Sequence, residues 1–236
     1  MIRTYRALAL AQLQALSQYR VQIFLYLLFS IVRPVIFLAA WVAVANSQGG
    51  RVGDFAVPDF AAYYVGITLV THLTQFWHAW EFEAEVRMGQ LSAKLLRPLH
   101  PLHYAVVENV TWKAYTLIGL VPALALIALT FGAQFRTDVP HLLLFVPSVL
   151  LAAALRFAIG WCVSTSAFWT TRVHAVAELV DRAAFIFAGT IAPLALLPGV
   201  LGVIAYALPF GYFIGVPADI LRAGSSLERS LALIGI

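Results

Sequence analysis

Long apolar stretches alternate with short charged ones along most of the chain. Apolar runs occupy about Val21 to Ala45, Phe60 to Trp80, Ala114 to Phe131 and Leu142 to Phe168. As helices rising about 1.5 Å per residue, each is long enough to cross a hydrocarbon core of about 30 Å. The pattern predicts four spans there. The next stretch, Ala183 to Ala218, holds no charged residue over 36 positions, too many for one helix and too few for two spans with a turn. It contains Pro193, Pro198, Pro209 and Pro217, with Gly199, Gly202, Gly211 and Gly215 among them. Proline removes a helix donor, and lipid-exposed backbone cannot go unpaired. The prediction is a fifth span over about Ala183 to Leu197, then short broken helices over 193–218 that dip into the membrane face and return to the same side.

The first twenty residues differ from these runs. On a helical wheel, Ile2, Tyr5, Leu8, Ala9, Leu13, Leu16 and Tyr19 share one side, while Arg3, Thr4, Gln14, Ser17 and Gln18 share the other. This predicts an interfacial helix over 1–20 lying on the membrane. A cleaved signal peptide fits less well, because glutamines break the apolar core and no A-x-A site follows. At the other end, Leu231 to Ile236 follow Asp219, Arg222, Glu228 and Arg229, and six residues cannot span a bilayer. Two expectations remain open, a five-span protein or a sixth span cut off at its start.

Composition sharpens the picture. Of 236 residues, 62% are apolar and 11% charged, against about 25% charged in soluble domains, which excludes a soluble enzyme. The net charge of +4 is too small for a nucleic-acid binder whose surface is largely hydrocarbon-facing. A cytoplasmic N-terminus gathers nine of the fifteen lysines and arginines on the inner side and leaves four outside, with Arg33 and Arg156 inside spans. The single cysteine, Cys162, provides neither a disulfide framework nor a thiolate cluster. No repeat or long linker divides the chain. The fold class expected is one all-α, polytopic membrane bundle over 1–236, multi-pass in the cell (inner) membrane.

Several constellations invite a chemical reading. Arg33 and Arg156 each cost about 2.5–3.5 kcal/mol at mid-membrane, so either they face a pathway or subunit interface and attract anionic groups, or they snorkel and pair with carbonyls. His72, His78, Glu81, Glu83 and Glu85 suggest a metal site, but histidines six apart point to different sides of a helix, unlike an H-E-x-x-H pair. Polar residues at a helix exit beside Trp77 and Trp80 explain them without a metal. Glu178, Asp181, Arg172, Arg182 and His174 read as solvated loop charge. Ser164, Thr165, Ser166, Thr170 and Thr171 have no histidine or carboxylate at triad-like spacing. Gly211 and Gly215 form a G-x-x-x-G pair, explained equally by helix contact or by turn geometry.

The longest polar excursion, residues 81–104, joins the second and third spans on the inner side. Glu81, Glu83, Glu85 and Arg87 continue the second span into water, and Gly89 permits a turn. Leu91, Leu95 and Leu96 then recur beside Lys94 and Arg97 until Pro98 and Pro101 end the helix. Such an amphipathic helix lies on lipid or presses its apolar face into a partner. The order Glu85, Gly89, Leu91, Leu95, Leu96, Arg97, Pro98, Pro101 resembles the coupling segment of ABC-2 type export permeases, E-x-x-x-G-x-L-x-x-x-L-L-R-P-x-x-P. Pro193 to Pro198 and Leu208 to Tyr212, followed by Pro217, are similar to that family's segment between its fifth and sixth spans.

The resemblance implies a permease subunit of an ATP-binding-cassette exporter, paired with a second permease as homodimer or heterodimer and driven by separate cytoplasmic ATPase subunits. It further implies ATPase coupling through Glu85 to Pro101 and an outer gate including Pro193, Pro198, Pro209 and Phe210. The family's sixth span is missing here, which favours truncation. Independently of the resemblance, the sequence has no G-x-x-x-x-G-K-[ST] loop, so ATP hydrolysis by that route belongs to another chain. No cofactor, catalytic residue or metal ligand is expected. The alternatives are an intramembrane metal-dependent enzyme using His72, His78 and the nearby glutamates, and a transporter driven by an ion gradient.

Overall fold

A computed structural model describes residues 2–170 and 172–222. The described residues form α1 (Ile2–Gln18), α2 (Arg20–Ser47), a hairpin of β1 (Arg51–Val52) and β2 (Phe55–Ala56), α3 (Val57–Thr74), α4 (His78–Arg87), α5 (Gln90–Leu95) and α6 (Pro101–Thr130). After these come α7 (Val139–Thr165), α8 (Val173–Phe187), α9 (Gly199–Ala207), α10 (Phe210–Phe213) and α11 (Gly215–Ile220). The protein is an all-α membrane protein apart from the short hairpin. Among the described residues, three helices are long and apolar enough to cross a membrane: α2, α6 and the stretch Val139–Phe168 that contains α7. The sequence positions Thr171, Glu228, Arg229 and Leu231 to Ile236, and with them the start of a sixth span, lie outside the described residues.

The expected second span is not one rod. α3 ends at Thr74, and Gln75 turns extended at φ −55°, ψ 139° before α4 begins. The break is covered by neighbours. Asn109 Nδ2 donates to the Gln75 carbonyl at 3.2 Å, and the Tyr26 hydroxyl donates to Gln75 Oε1 at 2.9 Å. These donors come from α6 and α2, so the apolar run of α3 itself carries no sign of the interruption.

Pro101 corrects a second expectation, since it opens α6 instead of ending the preceding helix. Proline suits a first helical turn, where its missing N–H has no partner to lose. His100 Nδ1 accepts from the Leu102 N–H at 3.2 Å as a cap. A third correction concerns the fifth span, expected at Ala183 to Leu197. The helix found there starts at Val173 and stops at Phe187. Its charges are not loop charges: Arg182 pairs with Glu178 one turn back at 2.8 Å, and Asp181 faces Arg156 at 3.7 Å. At 15 residues the helix is about 22 Å long, shorter than the hydrocarbon core.

α3 is the central post of the bundle. Phe60, Ala61, Ala62, Tyr63, Tyr64, Ile67 and Val70 are all buried, consistent with a helix apolar on every side. It packs against α2, α6, α7 and α11. Beside it, residues 188–198 carry no α-helix, and their carbonyls are met by side chains. The Tyr63 hydroxyl donates to the Gly189 carbonyl at 3.1 Å, while the Tyr64 hydroxyl and Trp41 Nε1 both donate to the Ile191 carbonyl, at 2.8 and 2.9 Å. Gly189 has φ +83°, and a Cβ there would lie 2.5 Å from the Tyr63 hydroxyl. Conformation and space both demand glycine.

The far end of α11 is fixed by Arg222, which is fully buried. Its Nε donates to Asp219 at 3.0 Å, its Nη1 donates to the Asp54 carbonyl at 3.3 Å and lies 3.7 Å from Asp59, and its guanidinium sits 4.0 Å from the Phe55 ring centroid. Asp59 also accepts from the Ala56 N–H at 3.0 Å, capping α3. One cation therefore joins α11, the hairpin and the start of α3.

The two tyrosines make unequal contributions. Tyr63→Phe removes the donor to Gly189 and should destabilise the protein by about 1–3 kcal/mol. Tyr64→Phe leaves Trp41 on Ile191 and should cost less than about 1.5 kcal/mol. Unfolding in detergent, followed by near-ultraviolet circular dichroism, measures both; an equal loss would show that the Ile191 carbonyl needs two donors.

Candidate functional site

Gly89 makes an elbow between α4 and α5. It adopts φ +71° with nothing within 4 Å of where a Cβ would stand, so the turn itself, not crowding, calls for glycine. Across the elbow, Lys94 pairs with Glu85, and the Lys94 ammonium lies 5.6 Å from the Tyr104 ring centroid on α6. Leu91 is buried, which anchors α5. Leu95 and Leu96 are 60% and 89% exposed, and Met88 is 60% exposed. Arg97 and Pro98 are exposed beside them, and Pro101 is buried at the start of α6. The elbow thus presents a small apolar tip on a braced support. Of the residues singled out in sequence, Glu85, Gly89 and Leu91 build the support, and Leu95, Leu96, Arg97 and Pro98 form the outer side.

α4 rests on α7 and α8 through rings and one carboxylate. His78 stacks on Trp161 at 6.0 Å, and Phe82 meets Trp161 at 5.5 Å and Phe168 at 5.8 Å. Glu83 Oε2 accepts the His174 backbone N–H at 3.0 Å and lies 3.3 Å from His174 Nδ1. His174 is in the first turn of α8, so Glu83 meets an unpaired N–H and the positive end of the helix together. That backbone N–H holds the Glu83 carboxyl below the usual carboxylate range, with the His174 ring adding to the effect. Sequence separation hid this pairing. α1 lies against α6 with its apolar side inward, and the Tyr5 hydroxyl meets His103 Nδ1 at 2.5 Å. Tyr19, expected on that side, is exposed.

A second feature is a cavity of about 370 Å³ between α2, α3, α7 and α8. Arg33 and Arg156, from different helices, both line it. Arg156 Nη1 donates to Thr74 Oγ1 at 3.4 Å and Nη2 lies 3.7 Å from Asp181. The Arg33 guanidinium lies 5.3 Å from the Phe185 ring centroid. The carbonyl pairing considered for Arg33 is not among its described contacts.

The broken segment places Pro193 ahead of a single 3-10 turn at Leu194–Leu196, Pro198 ahead of α9 and Pro209 ahead of α10. Phe210 packs edge-on against Phe213 at 5.6 Å. Gly215 lets this segment close, since a Cβ there would lie 2.8 Å from the Ala188 carbonyl.

The histidines separate. His72 faces α6, where its Nε2 lies 3.0 Å from Thr116 Oγ1 and its ring stacks on Trp112 at 5.3 Å. His78 instead meets Glu81 at 3.2 Å. Sequence reasoning missed Glu108 of α6, which joins His78 and Glu81 with all three potential ligand atoms within 4.8 Å. Ser164, Thr165 and Ser166 donate to the carbonyls of Gly160, Cys162 and Val163, one turn back in their own helix.

Compared with known proteins, the chain is matched over residues 31–236 by the family model described as ABC-2 family transporter protein. Neither the curated proteins nor the solved structures give a significant match.

The Glu83 contact gives a pH signature. A carboxyl depressed in the folded state stabilises above its unfolded value, about pH 4.3, and that stabilisation is lost as pH falls through the lower folded value. Hydrogen-exchange protection of the first turn of α8, corrected for intrinsic rates, should hold from about pH 7 to 5 and fall below about pH 4. Glu83→Gln should lower it throughout and flatten the acid dependence; a wild-type profile in that variant would remove Glu83 from the contact.

Proposed function

Because the chain belongs to the ABC-2 transporter family, we propose that it is the membrane-spanning permease subunit of an ATP-driven exporter, with its N-terminus and the α4–α5 elbow in the cytoplasm. The observation that carries the reading within that family is the elbow: an apolar tip of Leu95 and Leu96, 60% and 89% exposed, on a support tied by Gly89, Leu91 and the Glu85–Lys94 pair. An exposed leucine pair beside Arg97 suits a groove on a protein partner. The partner is a cytoplasmic ATPase subunit, since this chain lacks a phosphate-binding loop.

Two permease subunits, identical or related, enclose the pathway in this reading. The protein sits multi-pass in the cell (inner) membrane, α1 lies along the inner leaflet, and five segments cross. α2, α6 and α7 cross as continuous helices. α3 with the start of α4 as far as Trp80, and α8 with its following irregular segment, complete the set. The proline-rich stretch from Pro193 to Pro217, with Phe210 on its inner side, closes the outer end. Closure of the ATPases pushes α5, and α4 passes the motion to α7 and α8 through the Trp161 rings and Glu83. The metal-enzyme alternative keeps only its His78 side, where Glu81 and Glu108 stand, because His72 Nε2 meets Thr116 instead.

Replacing Leu95 or Leu96 with aspartate should abolish export and weaken co-purification of the ATPase, while membrane insertion and thermal stability stay at wild-type levels. Vesicle export assays with both variants decide the matter, and unchanged export would sink the coupling role.

A further inference from the structure

We infer that the cavity between α2, α3, α7 and α8 binds the anionic headgroup of an amphiphile. Only its role as a cargo site rests on the exporter reading above; the binding does not. Among the described residues, two guanidinium groups, Arg33 and Arg156, line one cavity against a single carboxylate, Asp181. Asp181 lies 3.7 Å from Arg156, while the charge-bearing contact described for Arg33 is the face of Phe185. The lining therefore carries an excess positive charge in an apolar surround, where an unpaired charge is costly and an arriving anion is held strongly.

The polar atoms beside the arginines fit the same ligand. His72 is buried, and among the described residues its Nδ1 has no hydrogen-bond partner. Its Nε2 faces the Lys113 carbonyl at 3.3 Å, an acceptor, so the ring proton belongs on Nε2 and Nδ1 is an acceptor that a protonated headgroup oxygen would satisfy. Thr71 Oγ1 is likewise buried without a partner. Both residues line the cavity. Buried groups left unpaired in this way cost about 1–3 kcal/mol each, and oxygens of a phosphate, sulfate or carboxylate satisfy a hydroxyl and two guanidinium groups together.

The opening selects an amphiphile over a free ion. Phe29 and Arg33 line the cavity and are also exposed on α2, so it opens on the apolar perimeter of that helix. Around the opening, Phe29 is 70% and Ile36 60% exposed on α2, and Ile186 is 50% exposed on α8. A head held inside would leave its acyl chain against these side chains. The volume of about 370 Å³ accommodates a headgroup but not a whole lipid.

The test uses the full chain in nanodiscs of phosphatidylcholine and radiolabelled dioctanoyl phosphatidate. Saturable binding of one molecule per chain is expected, with affinity at least tenfold weaker in Arg33→Gln and in Arg156→Gln and unchanged in Arg6→Gln. Arg33 is exposed, so its variant keeps the test valid should Arg156→Gln fail to fold. Inorganic phosphate competing as well as phosphatidate would replace the proposal with a free-anion site, and equal competition by dioctanoyl phosphatidylcholine would replace it with an apolar one. Full binding in both arginine variants would mean annular lipid and overturn it. None of these outcomes involves the ATPase, so failure here leaves the Leu95 and Leu96 export assays to judge the exporter reading separately.

Discussion

Backbone that leaves the helix inside a membrane must find new partners within the protein, and the architecture follows from how this chain supplies them. Two interruptions among the described helices are answered by side chains from neighbours. After α3 the Gln75 carbonyl is met by Asn109 while Tyr26 holds the Gln75 side chain, and the irregular stretch after α8 is met by Tyr63, Tyr64 and Trp41. α3 is buried on every side because it supplies the two tyrosines from within the bundle. Its neighbours are arranged around that requirement: α2 lends Trp41, α11 closes against α3, and Arg222 ties the end of α11 to the hairpin where α3 begins.

The long helices were legible in sequence because their signal is local. Hydrophobic length alone located α2, α7 and most of α6. The elbow was legible as well, since Gly89 between a charged turn and spaced leucines marks a change of direction by composition. What escaped were features decided by partners distant in sequence. Asp181 looked like a loop charge because its partner, Arg156, lies on another helix, whereas the Glu178–Arg182 pair is spaced one turn apart in the sequence itself. Pro101 looked like a terminator because proline ends one helix and starts the next with equal ease, and the His100 cap decides between them only in three dimensions. Glu83 and His174, or Glu108 with His78, could not be joined from spacing.

Two candidate functional features are built by different physics. The elbow is a surface device, with apolar side chains left uncovered on a support braced by one ion pair and one left-handed glycine. The cavity is a recess between helices, open at the perimeter of α2, in which two guanidinium groups from different helices share one space. Arg33 and Arg156 were separate puzzles in the sequence. Their convergence turns two isolated penalties into one electrostatic feature.

The interruption between α3 and α4 has a mechanical consequence. A continuous rod would carry a displacement of α5 straight into α3, which is packed against α2, α6, α7 and α11, and would be stopped there. In the proposed exporter, the three non-helical residues between them let α4 act as a lever whose bearing surfaces are α7 and α8. Those bearings are Trp161, one turn from Arg156, and His174, two turns from Asp181. The 3.7 Å gap between Arg156 and Asp181 bridges the two helices that the lever rests on. Tilting the lever would open or close that gap, and with it alter how much of the Arg156 charge remains uncommitted.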